Sequence, residues 1–201
     1  MAEEFADVLA GLPVAEGPWN LADAPEDTAF IDFGVLRVGT VDQLRFRPEY
    51  DAGTKTCGAV SVRSGDVQIQ LQVVAAPRGE SRWNVLRPQM TERLRGEGAH
   101  VTVEEGHFGP ELAVLRGHER PDGTTVAIPM RVQAVDGDRW MLKVTSIGPT
   151  VHEAETRDKV NALVSRCAVD RGPAAAVAGS VMTLTPPPGA PRPGGAPTGR
   201  A

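Results

Sequence analysis

The chain has 201 residues, with Lys+Arg 21 against Asp+Glu 26 and a formal net charge of −5. This length suits one domain plus a tail and buries roughly 70% of the unfolded surface, so the core needs no disulfide or metal to hold it. The negative balance disfavours broad contact with nucleic-acid phosphates or anionic lipid. Short apolar runs and the lack of a basic-then-apolar leader argue against a membrane span or secretory signal, and for a cytosolic protein.

Residues 3–12 place Phe5, Val8, Leu9 and Leu12 at helical spacing, which predicts a short N-terminal helix or flexible arm ended by Pro13. An irregular segment follows, punctuated by Pro18 and Pro25 and anchored by Trp19. Residues 30–38 and 44–50 read as strands. In VQIQLQV, Val67, Ile69, Leu71 and Val73 share one face and Gln68, Gln70 and Gln72 the other. A two-residue loop at Ser64-Gly65 would set Val62 opposite Val67 and Val60 opposite Ile69.

Trp83, Leu86, Met90 and Leu94 predict an amphipathic helix over residues 83–98. Pro88 requires either a kink or a regular part that begins near Arg87. Residues 101–104 and 112–119 read as strands around a turn at 106–110, and Asp122-Gly123 marks another turn. Val126, Ile128, Met130, Val132 and Ala134 then alternate, as do Trp140, Leu142 and Val144 beyond VDGD. A two-residue loop at Asp136-Gly137 would put those two stripes on opposite faces. A three-residue loop, or a bulge, would pair Ala134 with Trp140 and Val132 with Leu142 and unite them on one face. That loop is the expectation.

Thr150 to Glu153, T-V-H-E, has the form of a capping box opening a second amphipathic helix that carries Ala154, Val160, Leu163, Val164 and Cys167. From Gly172 the composition turns to Ala, Pro and Gly. That composition predicts a disordered tail, with Val181 to Leu184 able to add one edge strand. The domain reading is an arm over 1–16, one α+β domain over 17–171, and a tail over 172–201. Its fold class is a mainly antiparallel sheet covered by two amphipathic helices in a layered sandwich.

Few residues offer chemistry. Asp136 and Asp138 could give oxygen ligands to a divalent cation, but such a site needs six or more ligands and no other patterned acid stands near, so the pair reads as turn chemistry. His100, His107, His118 and His152 follow no zinc spacing, and Cys57 and Cys167 read as buried free thiols. Glu104 and Glu105 are adjacent in a strand and point to opposite faces, so they do not converge as an acid/base pair. There is no P-loop, G-x-S-x-G elbow or dinucleotide fingerprint. No catalytic residue, metal or cofactor is assigned. The Gln68, Gln70, Gln72 row is either a solvent-facing strand surface or part of a ligand site, and Arg78 and Arg87 are its candidate charged companions.

The segments GPWNLADAPED, FIDFGVLRV, QLQVVAAPRGESRWNVLR, EEGHFGPELAV and VDGDRWMLK, in this order, resemble the actinobacterial family called domain of unknown function 3710, from about Gly17 to Arg171. Pro88 and the stretch HERPDGTTVAIPMRV depart from the family pattern. The resemblance implies a cytosolic actinobacterial protein and supplies no activity. A segment G-x-R-W-x-L-[KR] that recurs in relatives is Gly137 to Lys143 here, in keeping with a turn at Gly137 and a core Trp140. The expectation for function is a non-catalytic protein-binding or scaffold module with a protein partner. The alternative is a small-molecule binder or enzyme with a pocket between sheet and helices; nucleic-acid binding ranks last on charge.

Overall fold

The computed structural model describes residues 6–173 and 176–190. Eleven strands and two helices fall in the order β1 (Trp19–Asn20), β2 (Phe30–Asp32), β3 (Leu36–Gly39), β4 (Phe46–Tyr50), β5 (Cys57–Ser64), β6 (Val67–Ala75), α1 (Arg82–Gly96), β7 (His100–Gly106), β8 (Gly109–Glu119), β9 (Thr125–Asp136), β10 (Trp140–Ile147), α2 (Ala154–Val164) and β11 (Cys167–Val169). The fold is α+β. A seven-stranded sheet runs β4-β5-β6-β10-β9-β8-β7, all antiparallel, and a four-stranded sheet runs β1-β11-β3-β2 with one parallel pair at β1 and β11. Neither sheet closes on itself.

Around β9 and β10 the large sheet is buried on both faces, which decides how their sequence is read. On one face, Ile69, Leu71, Trp140, Leu142 and Val144 join Leu36 and Val38 of β3, Val160 and Leu163 of α2, and Cys167 of β11 in a single core. On the other, Val132, Ala134, Leu112, Val114 and Met141 pack with Trp83 and Leu94 of α1 in a second core. Because successive side chains alternate across a strand, two apolar stripes on opposite faces both find a partner.

This corrects the expected β9–β10 register. Asp136 lies opposite Met141 and Val132 opposite Thr145, so four residues, 137–140, intervene in place of three. The Gly137 N–H donates to the Trp140 carbonyl at 2.8 Å, and Arg139 adopts φ 63°. The stripes headed by Val132 and Leu142 stay on opposite faces, each in its own core. Gly137 lies so close under the Trp140 ring that a Cβ there would overlap it, which is why glycine fits.

Other expectations shift as well. The β5–β6 loop is Gly65-Asp66, with Gly65 at φ 55°, so Val62 faces Ile69; the slip of two residues leaves every side chain on its expected face. Residues 30–38 form a hairpin, not one strand: Asp32 Oδ1 accepts the Gly34 N–H at 2.7 Å and turns the chain. Helix α1 starts at Arg82, capped by Ser81 Oγ, and runs through Pro88.

Glu153, not Thr150, is the N-cap of α2, and Thr150 donates its hydroxyl to Asp66 Oδ1 at 2.8 Å. Cys167 leaves the helix to begin β11, where complete burial pushes its thiol up to about 12.

At the N-terminal end, Phe5 lies outside the described residues, and residues 8–11 form a turn instead of a helix. Leu9 of that turn is fully buried, its N–H donating to Ser64 Oγ. Past Gly172, Val181 pairs with Val74 and Leu184 with Cys57, and Leu184 enters the core at 2% exposure. The stretch packs despite its composition because the far end of β6 offers backbone groups: Val73 and Ala75 bond to Met182, Ser180 and Gly179.

Candidate functional site

Helix α1 packs against β7, β8, β9 and β10. Beyond it, the face of the large sheet formed by β4, β5 and β6 carries polar side chains, and the register states which ones. Directly opposed residues share a face in an antiparallel pair. Gln72 lies opposite Lys143, Gln70 opposite Thr145 and Ser61, and Gln68 opposite Ile147 and Arg63. Arg47 lies opposite Ser61. All belong to the α1 side, because Val74 and Met141 on the same faces of β6 and β10 join the α1 core.

At one end of this surface a half-open concavity of about 500 Å³ is lined by Arg45, Arg47, Arg63, Gln43, Ser61 and Gln68, with Ala6 and Val8 as its apolar side. Arg45, Arg47 and Arg63 are all exposed. Among the described residues no carboxylate forms an ion pair with Arg45, Arg47 or Lys143. Burial and the nearby Arg93 cation hold the Lys143 ammonium below the usual lysine range. Glu49 also lies on this face, and its Oε2 accepts the Gln70 amide. A second concavity of about 360 Å³ lies beside it, lined by Glu49, Asp51, Gln70, Gln72 and Val181 among others.

The glutamine row therefore splits. Gln68 is exposed in the arginine-lined concavity, whereas Gln70 and Gln72 are half-buried, Gln72 donating to the Gly58 carbonyl at 3.4 Å. Arg78 and Arg87 do not join them. Arg78 is in an exposed loop, 3.9 Å from Asp138. Arg87 on α1 donates to Asn84 Oδ1 and lies 5.9 Å over the Trp83 ring. The three arginines of the concavity escape a sequence reading because they come from segments around β4 and from β5, and only the register gathers them.

The D-G-D acids serve the fold. Asp136 accepts the Ser81 hydroxyl at 2.5 Å and the backbone N–H groups of Arg82 and Trp83 at 3.0 and 3.3 Å, so it closes the N-terminus of α1. Among the described residues there is no group of three or more His, Cys, Asp or Glu arranged to hold a metal ion. No described helix is long and apolar enough to cross a membrane.

A second charged group, unforeseen in the sequence, lies on the opposite face. Arg131 donates to Glu104 at 2.7 Å and to Glu111 at 2.6 Å, and Arg157 of α2 reaches Glu111 at 2.8 Å. Glu105 contributes only its carbonyl, to Arg157. The Arg131 hydrogen bond holds the Glu104 carboxyl below the ordinary range, against a smaller opposing effect of burial. These charges saturate one another and tie α2 to β8 and β9.

No curated protein matches the chain. Residues 17–192 match the family described as "Protein of unknown function (DUF3710)", a span that starts at the expected Gly17 and continues past Arg171 through the Val181 and Leu184 pairings. With most of its length matched, the chain belongs to that family.

Proposed function

We propose that the protein is a non-catalytic binding module of the cytosol, and that it takes an acidic segment of a partner protein on the β4–β5–β6 face. The observation that carries this reading is the gathering of Arg45, Arg47 and Arg63 at the Gln68 end of the glutamine row, whose other end, Gln72, lies opposite Lys143, on a chain whose net charge is −5. Guanidinium forks suit carboxylates, and side-chain amides along the strand can bond an extended backbone laid across them. We read the scaffold as a layered sandwich. Helix α1 covers one half of the large sheet's outer face, the small sheet and α2 cover its inner face, and the binding half stays open.

A second reading, a small anionic molecule in the same concavity, is favoured by its volume of about 500 Å³, within the range of ligand pockets. Calorimetric titration with a glutamate-rich peptide at low salt separates the two. The peptide binds the wild type and binds Arg47→Glu/Arg63→Glu at least about tenfold more weakly, the loss expected for one or two charge-assisted bonds. Citrate or inorganic phosphate binding as well as the peptide would favour the small-anion reading. Preference for a single-stranded oligonucleotide over the peptide would overturn both.

A further inference from the structure

Between β9, β10 and α2 lies a cavity of about 10 Å³, lined by Arg131, Gln133, Ser146, Val151, Arg157 and Val160. Its polar strand residues are brought together by the register. Arg131 and Ser146 are directly opposed, and Gln133 is the next residue of β9 on the same face. Arg131, Gln133 and Ser146 are 5%, 7% and 4% exposed. The terminal nitrogens of Arg131 are engaged, by Glu104, Glu111 and, at 3.3 Å, His152 Nδ1. Its Nε–H is not, and neither is the Gln133 amide nitrogen: both are buried with no hydrogen-bond partner among the described residues.

Buried donors are almost always paired, and two orphans on residues that line one small cavity point to a shared acceptor. We propose that the cavity is a binding site for a single water molecule, which accepts from Arg131 Nε and Gln133 Nε2 and donates to Ser146 Oγ. Size and charge select this occupant. The volume is that of about one water, and a chloride ion is larger. The guanidinium groups of Arg131 and Arg157 are already balanced by Glu104 and Glu111, so the surroundings call for a neutral acceptor. The water extends the ion network sideways and joins β9 to β10 beneath α2. This site is independent of the basic face and stands whether or not that face binds an acidic partner.

A high-resolution crystal structure of the whole chain, with a second crystal grown in bromide, is the test. The expected result is one density peak within about 3 Å of Arg131 Nε, Gln133 Nε2 and Ser146 Oγ, with no bromide anomalous signal there. An anomalous peak in the cavity would make it a halide site and overturn the proposal, as would a cavity with no density or a peak that touches only one of the three atoms. In solution, oxygen-17 relaxation dispersion should lose one long-lived water in Ser146→Val, whose added methyl groups fill the space. Unchanged dispersion in a folded Ser146→Val protein would count against the water.

Discussion

Asp136 Oδ1 at the end of β9 accepts the backbone N–H of Trp83 in the first turn of α1, at 3.3 Å. The same carboxylate holds Arg82 and Ser81, so one side chain fixes the helix to the sheet it covers. Asp138, two residues on, is 56% exposed and only 3.9 Å from Arg78. Asp136→Ala should therefore cost about 1–2 kcal/mol, the upper range for a lost helix cap. Asp138→Ala should cost close to nothing, as exposed pairs do. Urea denaturation of both variants measures the difference, and equal losses would contradict the division of roles.

Trp140 is 2% exposed and its indole N–H donates to Asn20 Oδ1 at 2.8 Å. Trp140→Ala should cost about 3–5 kcal/mol, a large part of a domain's stability, and reduce soluble yield. Gly137→Ala should displace the same ring and lower the denaturation midpoint in the same direction. An unchanged midpoint in Trp140→Ala would show that the ring is not a core element.

Much of this fold is legible in the residues, and the failures share a physical cause. VQIQLQV gives β6 and its faces because alternation survives any even slip in pairing, and Gly65-Asp66 in place of Ser64-Gly65 is such a slip. The β9–β10 loop departs from its pattern because uniting the two stripes on one face presupposes a sheet buried on one side only. With α1 on one side and α2 on the other, Val132 and Leu142 can occupy opposite faces without exposing either. Thr150 has the sequence of a cap, yet Asp66 takes its hydroxyl. Of the candidate site, the glutamine row was legible by its period. Arg47 and Arg63 were not, because what relates them is the pairing of β4, β5 and β6.

Leu184 is 2% exposed and joins the core beside Cys57, although it stands in a stretch whose composition predicts a disordered tail. Leu184→Ala should cost about 2–5 kcal/mol, and a chain ending at Arg171 should melt at a lower temperature than the full one. Thermal melts followed by circular dichroism measure both, and a truncated chain with an unchanged midpoint would place the stretch outside the cooperative unit.

The Glu104–Arg131 bond links stability to acid. The Glu104 carboxyl is depressed in the folded state, chiefly by the Arg131 hydrogen bond. Its contribution is therefore fully present above the unfolded pKa, about 4.3, and is lost as pH falls through the folded value. Glu104 is 45% exposed, so solvent screens the pair and the effect is modest. Glu104→Gln should be less stable than wild type near neutrality, and the two should converge in acid. A stability difference that persists unchanged below that range would contradict the linkage.

Binding of acidic protein segments on the β4–β5–β6 face is the proposal on which the functional reading rests. Nuclear magnetic resonance titration of the labelled protein with a glutamate-rich peptide tests it most directly. The expected result is shifts centred on Arg47, Ser61, Arg63, Gln68 and Gln70, fading as salt is added and lost in Arg47→Glu/Arg63→Glu. Shifts centred on the small sheet or the outer side of α1, or no shifts at low salt, would contradict it.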